Sequence, residues 1–404
     1  MYLEVPKKFI PLVEQAHKVA QEIFRPISRK YDAQEHAYPV ELDMLAALMD
    51  GMNEGDASGG AGAGKLQQVK KKDRKPGEVR NGTNLSTVLG LAELCWGDVG
   101  LALTLPRQGL GNAAIAAVAN EQQLERFKGC WASMAITEPG TGSDSANIRT
   151  TATQDGDDYV LNGEKIYVTA GERSDVVVVW ATLDPSIGRA AIKSFLVPKG
   201  TPGLVVERLD HKLGIRASDT ATITLTDCRV PKENLLGNPE IDVKKGFGGV
   251  MQTFDNTRPV VAAMAIGCAR AAIERTREIF KREGHLFDYS RSLLSVPAVE
   301  AELYRQEAEL EAARLLTLKA AWMADNGIPN SVEASMAKAK AGRTGNAVTL
   351  RCMQLCSAVG YQETDLLEKW ARDSKILDIF EGTQQIQLLI VARRLLNKSS
   401  KELR

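Results

Sequence analysis

Apolar residues recur at the three- and four-residue spacing of amphipathic helices over the first third of the chain. This pattern predicts helices at 10–24, 39–49, 85–101 and 112–127. Pro106 interrupts the apolar, helix-like stretch 99–110. It predicts either a kink or helix end at that point or the start of a new helix.

From residue 131 the apolar runs become short and rich in β-branched residues. The predicted strands cover 134–137, 159–161, 165–169, 176–180, 194–197, 204–206 and 221–225. Turn residues at 155–158 and 162–163 separate some of them, and Pro231 and Gly237 end the region. Short strands at this spacing predict a barrel or a sandwich. The unbroken apolar run 176–179 predicts a strand that is buried on both faces.

The last third returns to a helical period. Four long helices are predicted at 258–281, 299–324, 332–359 and 364–396, and short links between them favour an antiparallel bundle. The sequence therefore predicts an α+β protein with a helical domain at 1–130, a β domain at 131–240 and a helical bundle at 241–404.

Residues 51–83 are glycine-rich and basic, with few large apolar residues. Such a composition cannot form a core and predicts a mobile loop. A phosphate-binding loop at 59–65 is the alternative, but no apolar strand precedes it.

Composition excludes several classes of protein. The 404 residues carry 51 basic and 51 acidic side chains, so no basic field is available to bind nucleic acid. The first 30 residues lack the features of an export signal, and no apolar run could insert into a membrane. The six cysteines show no CxxC spacing, which favours a cytoplasmic protein without a metal site. Cys352 and Cys356 could pair, but a buried apolar role is favoured.

Glu381 is the first candidate for chemistry, because it lies between Phe380 and Gly382. Apolar surroundings raise the pKa of a carboxyl group towards the range of a general base. Gly382 leaves room for a substrate to approach the backbone, and Thr383 and Gln385 add polar groups beyond it. The alternative is a loop glutamate that caps the following helix.

The run from Thr137 to Asp144 is the second candidate. Its glycines, among them Gly142, and the neighbouring Ser143 leave backbone N–H groups free to hold a phosphate or the polar edge of a ring. An ordinary turn is the alternative.

Together these stretches resemble the acyl-CoA dehydrogenase family. Six motifs carry the resemblance, in family order, at 136–144, 161–171, 212–216, 230–234, 254–260 and 380–383. The family fold of helical domain, β-barrel domain and four-helix bundle is similar to the architecture predicted above.

The resemblance implies a binding site for FAD and for the CoA thioester. Ile136 and Thr137 would lie along the pyrimidine edge of the flavin, and Ser143 would contact the pyrophosphate or the CoA. The remaining positions implied near the cofactor are Tyr167 (where the family often has tryptophan), Thr169, Thr383 and Gln385. The positions implied to contact the acyl-CoA substrate are Asp255, Arg258 and Gly382, besides Ser143.

The resemblance also implies a reaction. Glu381 matches the catalytic base that removes the α-proton of an acyl-CoA thioester, while FAD takes the hydride and passes its electrons to an electron-transferring flavoprotein. A role in fatty acid or sterol side-chain breakdown would follow. One rival is an acyl-CoA oxidase, which the chain length disfavours. Another is a non-catalytic structural subunit, which the intact motifs disfavour.

A second set of positions departs from the family. In homotetrameric members a neighbouring subunit completes each flavin site with an arginine, a phenylalanine, a glutamine and a pair of glycines. This chain has Leu286, Tyr289, Pro297, Ser357 and Ala358 at the matching positions. Either the family has drifted here and the chain forms a homotetramer, or a homologous partner chain supplies these contacts in an α2β2 assembly.

Ala102, Leu103 and Pro106 match the base of the family's acyl pocket. Their small size and the expected kink predict a long or bulky acyl group.

Overall fold

A computed structural model describes residues 4–53, 80–241, 248–292, 294–399 and 402. The architecture is α+β, with helices before residue 127, strands between 132 and 236, and helices again from 248. Most of the loop predicted at 51–83, and all of the alternative phosphate-binding stretch, lie outside the described residues.

Short helices form the first part of the chain. They are α1 Ile10–Val19, α2 Arg25–Ala33, α3 Glu41–Asn53, α4 Thr83–Gly97, α5 Val99–Leu103, α6 Leu110–Val118 and α7 Glu121–Arg126. The predicted helix 85–101 is broken at Asp98, whose carboxylate accepts a hydrogen bond from Leu101 N at 2.8 Å and caps α5. Pro106 follows the end of α5, so the proline marks a helix end.

The middle of the chain forms one mixed sheet. Its strands are β1 Ala132–Ala135, β2 Thr151–Asp155, β3 Asp158–Thr169, β4 Val176–Thr182, β5 Ile192–Pro198, β6 Leu204–Leu209, β7 Thr220–Pro231 and β8 Leu235–Leu236. The order is β6-β7-β3-β2-β4-β5-β8, with β1 paired in parallel to β4. Every residue of β4 is buried, as the apolar run predicted.

The sheet curves around its own core. Tyr159 on β3 contacts Phe195 on β5 edge-on, with ring centroids 5.1 Å apart, although two strands separate β3 from β5 in the sheet. Side chains of β3, β4, β5 and β7 consequently share a single buried cluster.

Two details of the strand prediction are wrong. Asn162-Gly163 is not a turn, because β3 runs through it with a change of register against β7. Gly163 has φ +156, and a Cβ there would lie 2.4 Å from Thr150 Oγ1, so the glycine serves close packing. The sequence pattern also missed β2 and β8. The turn at 155–158 is correct, since it joins β2 to β3.

Long helices form the last part of the chain. They are α8 Gly248–Arg282, α9 Ala298–Asp325 and α10 Ser331–Leu355, followed by the shorter α11 Ser357–Tyr361, α12 Leu367–Ser374 and α13 Gln384–Leu395. The predicted single helix at 364–396 is wrong, because residues 375–383 interrupt it with a 3-10 turn and a loop. The predicted helix 332–359 also ends early, at Leu355, and the left-handed Ser357 with φ +50 begins α11.

A buried ion cluster links the three parts of the chain. Lys369 on α12 donates to Asp98 Oδ2 at 2.7 Å and to Asp373, and all three side chains are buried. Asp373 also accepts from Ile215 N at 2.6 Å, in the segment between β6 and β7. Burial raises the pKa of Asp373, even though Lys369 opposes the shift.

Two predictions from composition can be compared with the structure. Cys352 and Cys356 are unpaired and buried, as favoured. Within the described ranges, no helix is long and apolar enough to cross a bilayer.

Candidate active site

Glu381 lies in the loop that interrupts the helical stretch between α12 and α13. Glu381 has φ +57 and Gly382 has φ +85, so two consecutive residues are left-handed. For a residue other than glycine this conformation costs roughly 1–3 kcal/mol and persists only where the surroundings impose it. Such strain is common at functional sites, although it does not by itself assign a role.

The Glu381 carboxylate faces α8. Thr257 donates its hydroxyl to Glu381 Oε2 at 2.9 Å. Burial raises the pKa of Glu381, whereas the Thr257 hydrogen bond and the charges of Arg258 and Lys338 lower it. The raised pKa agrees with the direction expected from Phe380 and Gly382, and desolvation is its cause.

Two buried side chains hold the Glu381 turn, and sequence reasoning missed both. Lys338 on α10 donates to Gly382 O at 2.7 Å. Gln387 on α13 donates to Glu381 O at 3.0 Å and to Gly382 O at 3.1 Å. Lys338 lies 44 residues before its partner, and Gln387 lies at most 6 residues after its partners. In the sequence, a single lysine or glutamine on a helix does not indicate such a role.

Glu381 does not cap the following helix. Thr383 is the N-cap of α13, and its hydroxyl accepts from Ile386 N at 3.4 Å. Gln385 is exposed on the first turn of α13. Their expected contacts with a cofactor remain predictions.

Arg258 lies beside the Glu381 turn. It is buried and donates to Ser335 Oγ at 3.3 Å, and its positive charge lowers the pKa of Glu381. The side chain of Asp255 lies outside the described residues. The structure therefore brings Glu381, Gly382 and Arg258 together in the bundle.

The second predicted group lies on the β domain. Lys165 on β3 is fully buried and donates to Glu138 Oε1 at 2.8 Å and to Ile136 O at 3.1 Å. Glu138 also accepts from Thr150 Oγ1 at 2.6 Å. This ion pair fixes the loop that follows β1, and the sequence motif gave no role to either of its charges.

The loop itself is open to solvent. Gly142 and Ser143 are exposed, and a Cβ at Gly142 would meet nothing within 4 Å. Ile166 N donates to Thr137 O at 2.9 Å and brings the end of β3 against this loop. Ile136, Thr137 and Thr169 are half-buried there.

Tyr167 completes this surface. Its side chain is 66% exposed and its φ is +59. A large aromatic side chain held outward by a strained backbone is unusual on a solvated strand, and it offers a flat apolar face to a ligand.

Comparison with known proteins identifies the family of this fold. Residues 133–228 match the model of the acyl-CoA dehydrogenase middle domain, and residues 244–396 match that of the acyl-CoA dehydrogenase C-terminal domain. The solved butyryl-CoA dehydrogenase of Megasphaera elsdenii is 30% identical, with a TM-score of 0.83 over 98% of this chain and 100% of that one. The chain belongs to the acyl-CoA dehydrogenase family.

Two further proteins are similar to this chain. The short-chain specific acyl-CoA dehydrogenase of Bos taurus mitochondria is 40% identical over 268 residues, which is 66% of this chain and 63% of that protein. A chain solved in a study of the electron transferring flavoprotein of Acidaminococcus fermentans is 29% identical, with a TM-score of 0.81 over 98% of this chain and 100% of that one.

Acyl-CoA dehydrogenases are FAD-dependent oxidoreductases, and the residues of this chain fit that cofactor. The exposed ring of Tyr167 suits the flat face of a flavin, and the open glycine loop at 140–142 leaves space for a group that approaches the backbone. The exposed hydroxyl of Ser143 can donate to a phosphate oxygen.

The positions that depart from the family pattern lie on the surface. Leu286 and Tyr289 are 68% and 66% exposed, and Pro297 is the N-cap of α9. Ser357 keeps a left-handed backbone, which glycine adopts without cost, and Ala358 beside it is exposed.

Proposed function

We propose that this protein is an acyl-CoA dehydrogenase that uses FAD to convert an acyl-CoA thioester to its 2-enoyl-CoA. The observation that carries the proposal is Glu381, a carboxylate desolvated within a strained turn and contacted by the Thr257 hydroxyl. Family membership and the open surface around Tyr167 support it.

In this proposal Glu381 removes the α-proton of the thioester. The α-proton is weakly acidic, so the base works best with a pKa near the working pH, which burial favours. Arg258 and Lys338 keep the pKa from rising further, so that the carboxylate remains available. As in similar enzymes, the backbone N–H of Glu381 would donate to the thioester oxygen, where negative charge develops.

FAD supplies the two-electron acceptor of the reaction when it is bound. The chain's own residues would orient it: Ile136, Thr137, Gly142 and Ser143 along the loop after β1, and Tyr167 and Thr169 at the end of β3. Thr383 and Gln385 would approach it from α13.

The substitution Glu381→Gln tests the base. Glutamine keeps the size of the side chain and an acceptor for Thr257, but it cannot take a proton. We expect kcat to fall roughly 100- to 10,000-fold, the range for loss of a general base, while FAD content is unchanged. Glu363→Gln, in the exposed link before α12, is the matched control. Near-normal turnover of Glu381→Gln would remove the base assignment.

We propose that an electron-transferring flavoprotein accepts the electrons, and the Acidaminococcus fermentans relative supports this. The alternative acyl-CoA oxidase would deliver them to oxygen. Turnover under air with and without an added electron-transferring flavoprotein separates the two. Stoichiometric hydrogen peroxide without the flavoprotein would favour the oxidase.

We further propose that a homologous chain completes the flavin site in an α2β2 assembly. The exposed Leu286 stands where an arginine is expected, and Ser357 and Ala358 carry side chains where glycines would leave the backbone open, which supports this. The test is the flavin content and mass of the chain expressed alone. One FAD per chain in a homotetramer would overturn the proposal, while a colourless product would support it.

The acyl group is a separate question. The names of the Bos taurus and Megasphaera elsdenii relatives support a short chain, whereas the small Ala102 near the break at Pro106 supports a long or bulky one. We propose the bulky substrate. A thioester panel from butyryl-CoA to sterol side-chain analogues tests it, and the highest kcat/KM on butyryl-CoA would refute it.

A further inference from the structure

Lys338 is a buried cation to which the proposed chemistry gives no role beyond its charge, which lowers the pKa of Glu381. It lies on α10 with no exposed surface, and its Nζ donates to Gly382 O at 2.7 Å. Burial lowers its pKa to about 8, against the opposing charges of Asp378 and Glu381. A buried lysine is expensive unless a specific contact compensates for its desolvation.

The contact that Lys338 makes is with the strained turn. The Glu381-Gly382 turn has two left-handed residues, and for a residue other than glycine this conformation persists only where the surroundings impose it. Gln387 contributes two hydrogen bonds from α13, and a Cβ on Gly382 would lie 2.6 Å from its Nε2. Lys338 is the donor that reaches the same turn from a different helix, α10.

We propose that Lys338 is a positioning residue for the Glu381 base, holding the Gly382 carbonyl so that the left-handed turn keeps the carboxylate in place. The proposal rests on the function proposed above. It concerns the orientation of the Glu381 side chain, because Lys338 donates to the backbone next to Glu381 and not to the Glu381 carboxylate itself.

The charge of Lys338 has a second consequence. Among the described residues, the charged groups around it are Asp378 in the 3-10 turn, Glu381 in the loop and Arg258 on α8. Lys338 lowers the pKa of Glu381, in opposition to burial. Removing its charge therefore raises the pKa of Glu381, and the acid limb of kcat/KM moves to higher pH.

Lys338→Met tests the proposal, with Lys340→Met as the matched control. Methionine has a similar length but neither charge nor donor, and Lys340 lies on the same helix paired to Glu309 at the surface. We expect Lys338→Met to retain FAD and assembly, and to lose about 10- to 100-fold in kcat, the order reported for a base displaced by about 1 Å. Its acid limb should move to higher pH, while KM changes little.

The proposal is overturned if folded, FAD-loaded Lys338→Met matches Lys340→Met in kcat and in its acid limb. If Lys338→Met does not fold, Lys338→Gln replaces it, since glutamine is polar and uncharged but one bond too short for the contact with Gly382 O. We expect the kcat of Lys338→Gln to fall and its acid limb to move, and a kcat equal to that of Lys340→Met overturns the proposal. Parallel assays of Glu381→Gln separate the two ideas: an active Glu381→Gln removes the base, whereas an inactive one beside a normal Lys338→Met removes only the positioning role.

Discussion

Replacing Lys165 by methionine probes the support of the loop that follows β1. The lysine is fully buried and pairs with Glu138 at 2.8 Å. Its pKa is lowered to about 8 by burial, so it is charged at pH 7. Removing one partner of a buried pair leaves the other charge uncompensated, at a cost of about 3–5 kcal/mol.

The lower end of that range applies to this site. Glu138 also accepts hydrogen bonds from Arg149 N at 2.6 Å, Thr150 N at 2.9 Å and Thr150 Oγ1, and these remain in the variant. We therefore expect Lys165→Met to lose about 3 kcal/mol in the free energy of unfolding. Ile136 O would also lose its donor, so FAD should dissociate more readily from the variant.

Urea unfolding at pH 7, followed by circular dichroism, measures the loss. Lys232→Met is the control, because Lys232 pairs with Asp157 on the exposed surface, where a pair is worth about 0–1 kcal/mol. The double variant Lys165→Met/Glu138→Gln removes the orphaned charge and should recover part of the loss. A single variant as stable as Lys232→Met, or a double variant less stable than the single, would refute the reasoning.

Three further outcomes are expected. Lys369→Met should destabilise the protein by about 3–5 kcal/mol in the same urea assay, since two buried aspartates lose their counter-ion; a loss below about 1 kcal/mol would contradict this. Gly267→Ala should destabilise the fold, because its Cβ would lie 2.1 Å from Ala92 O, where α8 packs against α4. Gly90→Ala, whose Cβ would have its nearest atom at 3.6 Å, should leave the free energy of unfolding unchanged or raise it by up to about 1 kcal/mol. Equal unfolding midpoints for the two variants would contradict this close contact between α4 and α8. Glu381→Gln should be more stable than the parent at pH 8, because a carboxyl whose pKa is raised on folding destabilises the fold once it ionises. The difference should shrink as the pH falls from the raised pKa of the folded carboxyl to the lower pKa of unfolded glutamate; a gap that widens in acid would reverse the sign.

The arrangement of helices and strands was predictable because periodicity is local. The helical, β and helical stretches follow from side chains a few residues apart, and the buried β4 was readable from its four consecutive valines. The break before α13 was not, because Ile376, Leu377 and Phe380 continue the apolar spacing of the flanking helices. What interrupts the helix is a left-handed Glu381 held by Lys338, which lies on another helix.

The same distinction between local and distant residues applies to the candidate site. Glu381 and the loop at 137–144 could be proposed as site residues because their adjacent residues give them their chemical character. Thr257, which contacts Glu381 from 124 residues away, was not found, because a threonine on a helix is ordinary until the fold brings its partner. Gly163 was misread as a turn for the same reason, since the contact that requires a glycine there comes from Thr150.

Because the Lys369 cluster joins the three parts of the chain, we expect them to unfold as one cooperative unit. Its aspartates come from the start of α5 and from α12, and Asp373 also holds the backbone of Ile215 next to the sheet. A fragment that ended before α12 would lack Lys369, and the buried carboxylate of Asp98 would be left without its cation. Separately expressed segments should therefore fold poorly, and hydrogen exchange should show the first helices, the sheet edge and the bundle opening together.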